Sequence, residues 1–138
     1  MTKKYEILEH PAELRLKIYG KTLEELFSNA AEAMADTLVT RDKRQVKGTK
    51  KESLKIQSID LNSLLVDFLS EILAKSQINK CVFLVSDIKI DASCYMLHTS
   101  CVGYAVDRFD EDIKAVTYQN LNIQKIDGIW QTILVFDI

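Results

Sequence analysis

At 138 residues, with 47% apolar and 28% charged side chains, the chain has the size and composition of one globular domain, which excludes a disordered or low-complexity protein. Its formal net charge of -2 supplies no global field for a phosphate backbone, so any nucleic-acid contact must be local. No apolar stretch approaches the ~20 residues of a membrane span, and none follows Met1-Thr2-Lys3-Lys4-Tyr5 as an export signal requires.

Four glycines and one proline leave no room for a linker, so residues 1–138 form a single domain. The three cysteines, Cys81, Cys94 and Cys101, lack a framework spacing and suit a reducing, cytoplasmic setting. Residues 5–9 and 14–19 read as strands. In the second, Leu14, Leu16 and Ile18 alternate with Arg15, Lys17 and Tyr19, giving one apolar face. Gly20 ends it. Thr22-Leu23-Glu24-Glu25 has the form of a capping box, and Leu23, Leu26, Phe27, Ala30, Met34 and Leu38 continue at helical spacing, which predicts an amphipathic helix over 23–38. Residues 41–46 and 53–58 resemble a polar hairpin around Lys47-Gly48-Thr49. Asp60 is the expected N-cap of a second helix whose buried side is Leu61, Leu64, Leu65, Phe68, Leu69, Ile72 and Leu73.

The remainder reads as strands over 82–90, 94–106, 113–118, 120–125 and 129–136. Asp127-Gly128 is a hairpin turn, since both central residues of a type I′ turn need positive φ. The last strand is apolar on both faces, with Ile129, Ile133 and Val135 on one and Trp130, Leu134 and Phe136 on the other, so it belongs inside a sheet. This order gives an α+β fold: a mainly antiparallel sheet with two amphipathic helices packed on it.

Five groups of residues could carry chemistry. The last strand closes in Asp137-Ile138, putting a side-chain carboxylate and an α-carboxylate one residue apart at the rim of a sheet. The same residues are also what a strand that simply stops would show. Glu9-His10-Pro11-Ala12-Glu13 sets two carboxylates and an imidazole in a turn; a solvated polar turn has the same composition. If Glu13 lies beside Asp137 and the chain end, three oxygen groups converge, a set that suits Ca²⁺ better than Zn²⁺. Cys94, His98 and Cys101 have soft-ligand chemistry, but on a strand Cys94 and His98 share a face and Cys101 points away. Asp67 and Glu71 neighbour each other on the second helix, as an acid–base pair or a solvated flank. Arg41, Lys43, Arg44, Lys47, Lys50 and Lys51 form a basic run that fits a docking patch or a solvated loop, and Asp107, Asp110, Glu111 and Asp112 an acidic loop read as surface. No Gly-rich phosphate loop, nucleophile elbow, HExxH or paired CxxC is present.

Taken together, five segments resemble the archease family: Glu9-His10-Pro11-Ala12-Glu13, the stretch 19–27, the stretch 64–73, Ile113-Lys114-Ala115-Val116-Thr117-Tyr118, and the terminal Val135-Phe136-Asp137-Ile138. The resemblance runs nearly end to end. It departs from the family pattern at Pro11, where the family has Thr, and at Glu13, where it has Asp.

What the resemblance implies is an accessory protein rather than an enzyme: an activator of the RtcB-type RNA ligase, promoting its guanylylation and multiple turnover in tRNA splicing and RNA repair. The ligase itself uses GTP and manganese, so contact with tRNA and GTP would be indirect, within the ligase complex. The family's metal site, described as calcium, maps by position onto Glu13, Asp137 and Ile138. His10, Asp67, Lys114 and Thr117 are supporting candidates. Two other readings stand beside it: an independent metal-dependent hydrolase using Glu13, Asp67 and Asp137, and a chaperone-like interaction module.

Overall fold

The structure is a computed structural model that describes residues 3–8 and 13–138. The expected turn at Glu9-His10-Pro11-Ala12, with the end of the first expected strand at Glu9, lies outside the described residues. Strands β1 (Tyr5–Leu8) and β2 (Leu14–Gly20) lead into helix α1 (Leu23–Leu38). A short 3-10 turn (Arg41–Lys43) precedes β3 (Lys50–Gln57), and helix α2 (Leu61–Asn79) follows. The chain then runs through β4 (Cys81–Asp91), β5 (Met96–Ala105), β6 (Ala115–Thr117), β7 (Gln124–Ile126) and β8 (Ile129–Asp137).

These strands form two sheets rather than one, and every pairing is antiparallel. The larger has the order β1-β2-β8-β6, with β7 also pairing β8; the smaller has the order β3-β5-β4. Both helices lie against one shared core. Phe27 of α1 and Phe68 of α2 stack at 5.8 Å between ring centroids in its centre, among Leu16, Ile18, Leu134 and Phe136 of the larger sheet and Val82, Phe83, Leu97 and Cys101 of the smaller. No helix of the described residues is long and apolar enough to cross a membrane.

Helix starts follow side-chain chemistry. The Thr22 hydroxyl accepts from Glu25 N at 3.0 Å, and Asp60 Oδ1 accepts from Ser63 N at 2.7 Å, each satisfying a donor that the first helical turn leaves open. The returning Glu25 carboxylate reaches one residue further than a capping box requires, to Lys21 N at 3.3 Å. Gly20 is required by packing: a Cβ there would run into the backbone of Leu26. Asp127 and Gly128 take φ of 51° and 80°, as the expected hairpin turn demands.

Two expectations fail for local reasons. Residues 41–46 are not a strand. Arg41 and Arg44 are drawn to Asp36, at 3.2 and 2.7 Å, which winds the segment against the end of α1. Gln45 N and Thr49 N then bond Ala105 O and Gly103 O, so the segment runs on along β5 as an extension of β3 and makes no hairpin. Residues 120–123 are likewise outside the sheet: Asn120 has φ 59°, Leu121 N turns back to Tyr118 O (3.1 Å), and the two following amides are taken by side chains, Asn122 N by Thr132 Oγ1 (3.1 Å) and Ile123 N by Asn62 Oδ1 (3.0 Å). Only β7 remains of that strand.

Candidate functional site

The rim of the larger sheet gathers the chain-end residues because β8 runs between two partners. On one side Leu14 faces Phe136, and continuing that register puts Glu13 opposite Asp137; on the other, Ala115 faces Asp137 and Thr117 faces Val135. Facing residues of an antiparallel pair lie about 4.5–5.5 Å apart at Cα and point the same way. Leu16, Leu134 and Phe136 point into the core, so Glu13, Arg15, Val135, Asp137, Ala115 and Thr117 occupy the outer face.

Glu13 is held firmly there. Arg15 Nε donates to Glu13 Oε1 at 3.1 Å, and the Glu13 side chain keeps only 14% of its surface exposed. Gln119 Nε2 donates to the same oxygen at 3.5 Å. That bond runs from beyond β6 to the start of β2, across β8, and Val135 between them is 1% exposed although it faces outward. Thr117 Oγ1 donates to Val135 O at 2.9 Å and accepts from Gln119 N at 3.4 Å, which aims Gln119 along the face. Lys114 takes part through its backbone, its N–H donating to Asp137 O at 2.7 Å. Asp137 and Ile138 are exposed, and among the described residues no ion pair reaches the Asp137 carboxylate.

Glu13, Asp137, Lys114 and Thr117 share this rim through strand register and backbone bonding, with Ile138 next to Asp137 in the chain. His10 lies outside the described residues. Asp67 does not join them: it is exposed on α2, and its Oδ2 accepts from Ser58 Oγ at 2.6 Å at the end of β3, in the other sheet. Two residues at the rim escaped the sequence reading. Arg15 was signalled by its i, i+2 place on one strand face with Glu13. Gln119, 106 residues from Glu13, gave no signal.

As a cation site, the rim has hard-oxygen chemistry. Among the described residues, no three His, Cys, Asp or Glu side chains cluster closely enough to hold a metal ion. A cation here would therefore rest on the Glu13 and Asp137 carboxylates and water. Ca²⁺ tolerates such a mixed set of oxygen ligands, whereas Zn²⁺ prefers nitrogen and sulfur.

The other constellations sort differently. Cys94 sits in the turn before β5 and not on the strand, so it shares no strand face with His98; Cys101 is buried. Burial pushes the Cys101 and Cys81 thiols up, the opposite of what a nucleophile needs. The basic run divides. Arg41 and Arg44 are bound to Asp36 and Lys43 to Asp110 (2.9 Å), while Lys47, Lys50 and Lys51 have no ion pair among the described residues. The acidic loop is structural in part, and not surface alone: Asp110 N donates to Leu38 O at 2.7 Å and Asp110 Oδ2 accepts from Thr40 N at 3.1 Å, closing the end of α1.

Comparison with known proteins bears on the whole chain. The sequence pattern of the Archease protein family matches residues 5–138. A protein archease from Methanosarcina mazei is 38% identical, covering 99% of this chain and 97% of the relative, and one from Pyrococcus abyssi is 34% identical, covering 99% of each. The solution structure of a Methanobacterium thermoautotrophicum protein superposes with a TM-score of 0.81 at 26% identity, over 99% of this chain and 100% of that one. A crystal structure of an archease from Thermotoga maritima, described as a possible chaperone, shares the fold with a TM-score of 0.69 at 19% identity, over 100% and 98%.

Proposed function

The chain belongs to the archease family, and on that footing we propose that it is an accessory protein of an RtcB-type RNA ligase, promoting guanylylation and repeated turnover of that enzyme. The observation that supports this reading is the acidic rim: Glu13 and Asp137 side by side at the open end of a sheet, one carboxylate tied to Arg15 and the other exposed. An acid anchored on three hydrogen-bonded strands is positioned to within the stiffness of the sheet, which is what a surface must offer if it is to act inside another protein's site. Exposed Tyr118 (55%) and Ile138 (37%) beside it give a partner apolar contacts around the charge.

In this proposal Glu13, Asp137 and the Ile138 carboxylate hold a calcium ion. Bound there, the ion would neutralise the rim and present a positive centre to a phosphate-bearing ligand. The residues' own part is positional. Arg15 and Gln119 fix the Glu13 carboxylate, and Lys114 N–H and Thr117 Oγ1 fix the end of β8. The ligase carries the chemistry, with GTP, manganese and tRNA held on its side.

The test adds the purified chain to RtcB-type ligase and follows ligase guanylylation and the number of ligations per enzyme. Stimulation of both, sharply reduced with Asp137→Asn, is the expected result; unchanged rate and turnover remove the proposal. A hydrolase built on Glu13, Asp67 and Asp137 finds less support, because Asp67 is engaged at Ser58 and those three acids form no cluster.

A further inference from the structure

The outer face of the smaller sheet carries lysines and a histidine that nothing in the ligase reading uses. His98 on β5 stands opposite Lys55 of β3 on one side and Lys89 of β4 on the other. Leu97, Thr99 and Cys101 are buried while His98 is exposed, so this row points to solvent. In the next row Ser100 lies between Ser53 and Asp87, and beyond it Lys51 faces Val102. The first two rows line a shallow cleft of about 470 Å³.

Like charges on one row of a sheet repel, and sheets ordinarily put an opposite charge there. The cations near the end of α1 are paired in that way, Arg41 and Arg44 with Asp36 and Lys43 with Asp110. Lys51, Lys55, Lys89 and His98 have neither an ion pair nor a side-chain hydrogen bond among the described residues. Of the nearby acids, Asp87 lines one side of the cleft, and Asp91 is turned to Ser93, accepting from its backbone N at 3.0 Å and its hydroxyl at 2.5 Å.

We infer that this face binds the backbone of a single-stranded nucleic acid, through the unpaired Lys51, Lys55 and Lys89 with His98 and the Ser53 hydroxyl between them. Apart from Asp87, the polar side chains of the cleft end in ammonium, imidazole or hydroxyl groups, all of which donate to phosphate oxygen. The cleft holds no aromatic or arginine anchor of the kind that dominates protein–protein binding, which favours a phosphodiester over an acidic protein face. Lys51 and Lys55 stand about 13 Å apart along β3, so a strand of several nucleotides is needed to reach both. With a chain of net charge -2, the attraction is confined to this face and fades quickly with salt.

The test uses the full chain with fluorescein-labelled 12-nucleotide RNA and DNA strands, read by anisotropy. Three phosphate contacts give a salt slope of about -2, hence affinity falling roughly twentyfold between 50 and 200 mM salt. Lys55→Gln with Lys89→Gln should flatten the slope by about 1.4 and weaken binding at low salt by roughly tenfold. Lys21→Gln with Lys125→Gln, the same loss of two charges elsewhere on the chain, should leave both unchanged. Equal affinity for RNA and DNA supports the phosphodiester as the recognised group, and tighter RNA binding supports it with an added 2′-hydroxyl contact. Absence of binding by wild type, equal binding by the double variant, or polyglutamate of matched charge binding as tightly through the same lysines overturns it. Melting curves check the fold of each variant. No ligase is present, so failure here leaves the ligase proposal standing, and the reverse.

Discussion

Two acidic groups in this protein start from similar chemistry and end differently. At the end of α1, the Asp36 carboxylate accepts from Tyr5 Oη (2.6 Å), Arg41 Nε and Nη2 (3.3 and 3.2 Å) and Arg44 Nη2 (2.7 Å), and the Arg44 side chain is only 7% exposed. Burial on its own would push the Asp36 carboxyl up, but these three partners outweigh it and hold it below the ordinary range. At the rim, Arg15 and Gln119 converge on Glu13, and no cation among the described residues reaches Asp137. An acid matched by cations within the fold serves the fold. An acid set beside another, with cations for only one, has its charge directed at something from outside.

The largest expected effect lies on the first side. Asp36→Ala leaves the largely buried Arg44 without its carboxylate and removes four charge-assisted hydrogen bonds, at a cost of about 3 kcal/mol in urea unfolding. Ligase stimulation per folded molecule should be unchanged; loss of stimulation with the fold intact would erase the distinction between the two groups. The pH dependence follows from the same contacts. Because the native Asp36 carboxyl ionises at lower pH than in the unfolded chain, its contribution is present above about pH 4 and is lost as pH falls through the lowered native value. Tyr5 runs the other way: burial first, then the Asp36 hydrogen bond, pushes its hydroxyl up to about 12, so its contribution is complete below about pH 10 and fades as pH rises toward that value. The stability gap between wild type and Asp36→Ala should therefore be flat from about pH 5 to 9 and narrow below pH 4.

On the second side, Asp137→Asn keeps the shape and the backbone bonds of β8, so unfolding free energy should move by less than about 0.5 kcal/mol. Ligase stimulation should fall roughly tenfold, equivalent to about 1.4 kcal/mol, and calcium binding followed by titration calorimetry should weaken with it. A variant that loses stability but keeps stimulation would make the rim a structural acid like Asp36. Tyr5→Phe is the smaller partner test of the first group, costing about 1 kcal/mol and removing Tyr5's share of the alkaline limb of the stability profile.

How far the sequence showed this division depends on the range of the interactions. Both helices were legible because their signals are local: Thr22 and Asp60 cap within three residues, and the apolar repeat sits on one stripe. Asp127-Gly128 and the two-sided β8 were legible for the same reason. At the rim a family likeness pointed to Glu13, Asp137 and Ile138, whereas the contacts of Gln119 and Arg15 needed the register of β2, β8 and β6. Residues 41–46 were misread because their alternation says nothing of Asp36 behind them. The split into two sheets was not visible either, since no single strand sequence records which neighbour it takes.

The smallest and sharpest expectation concerns Glu13→Asp. The shorter side chain withdraws the carboxylate by about one bond length, which breaks the 3.5 Å contact with Gln119 and lengthens the 3.1 Å contact with Arg15. Losing one weak and one moderate hydrogen bond in a part-buried site costs about 0.5–1 kcal/mol. The same withdrawal loosens the carboxylate from its internal cation, so its charge becomes more available to an external one facing Asp137. Calcium affinity should then rise by roughly three- to fivefold, about 0.6–1 kcal/mol, with a slightly lower melting temperature. A fall in affinity in this variant would mean that the longer reach of Glu13 is itself what brings its oxygen to the ion, and that Arg15 and Gln119 orient it rather than compete.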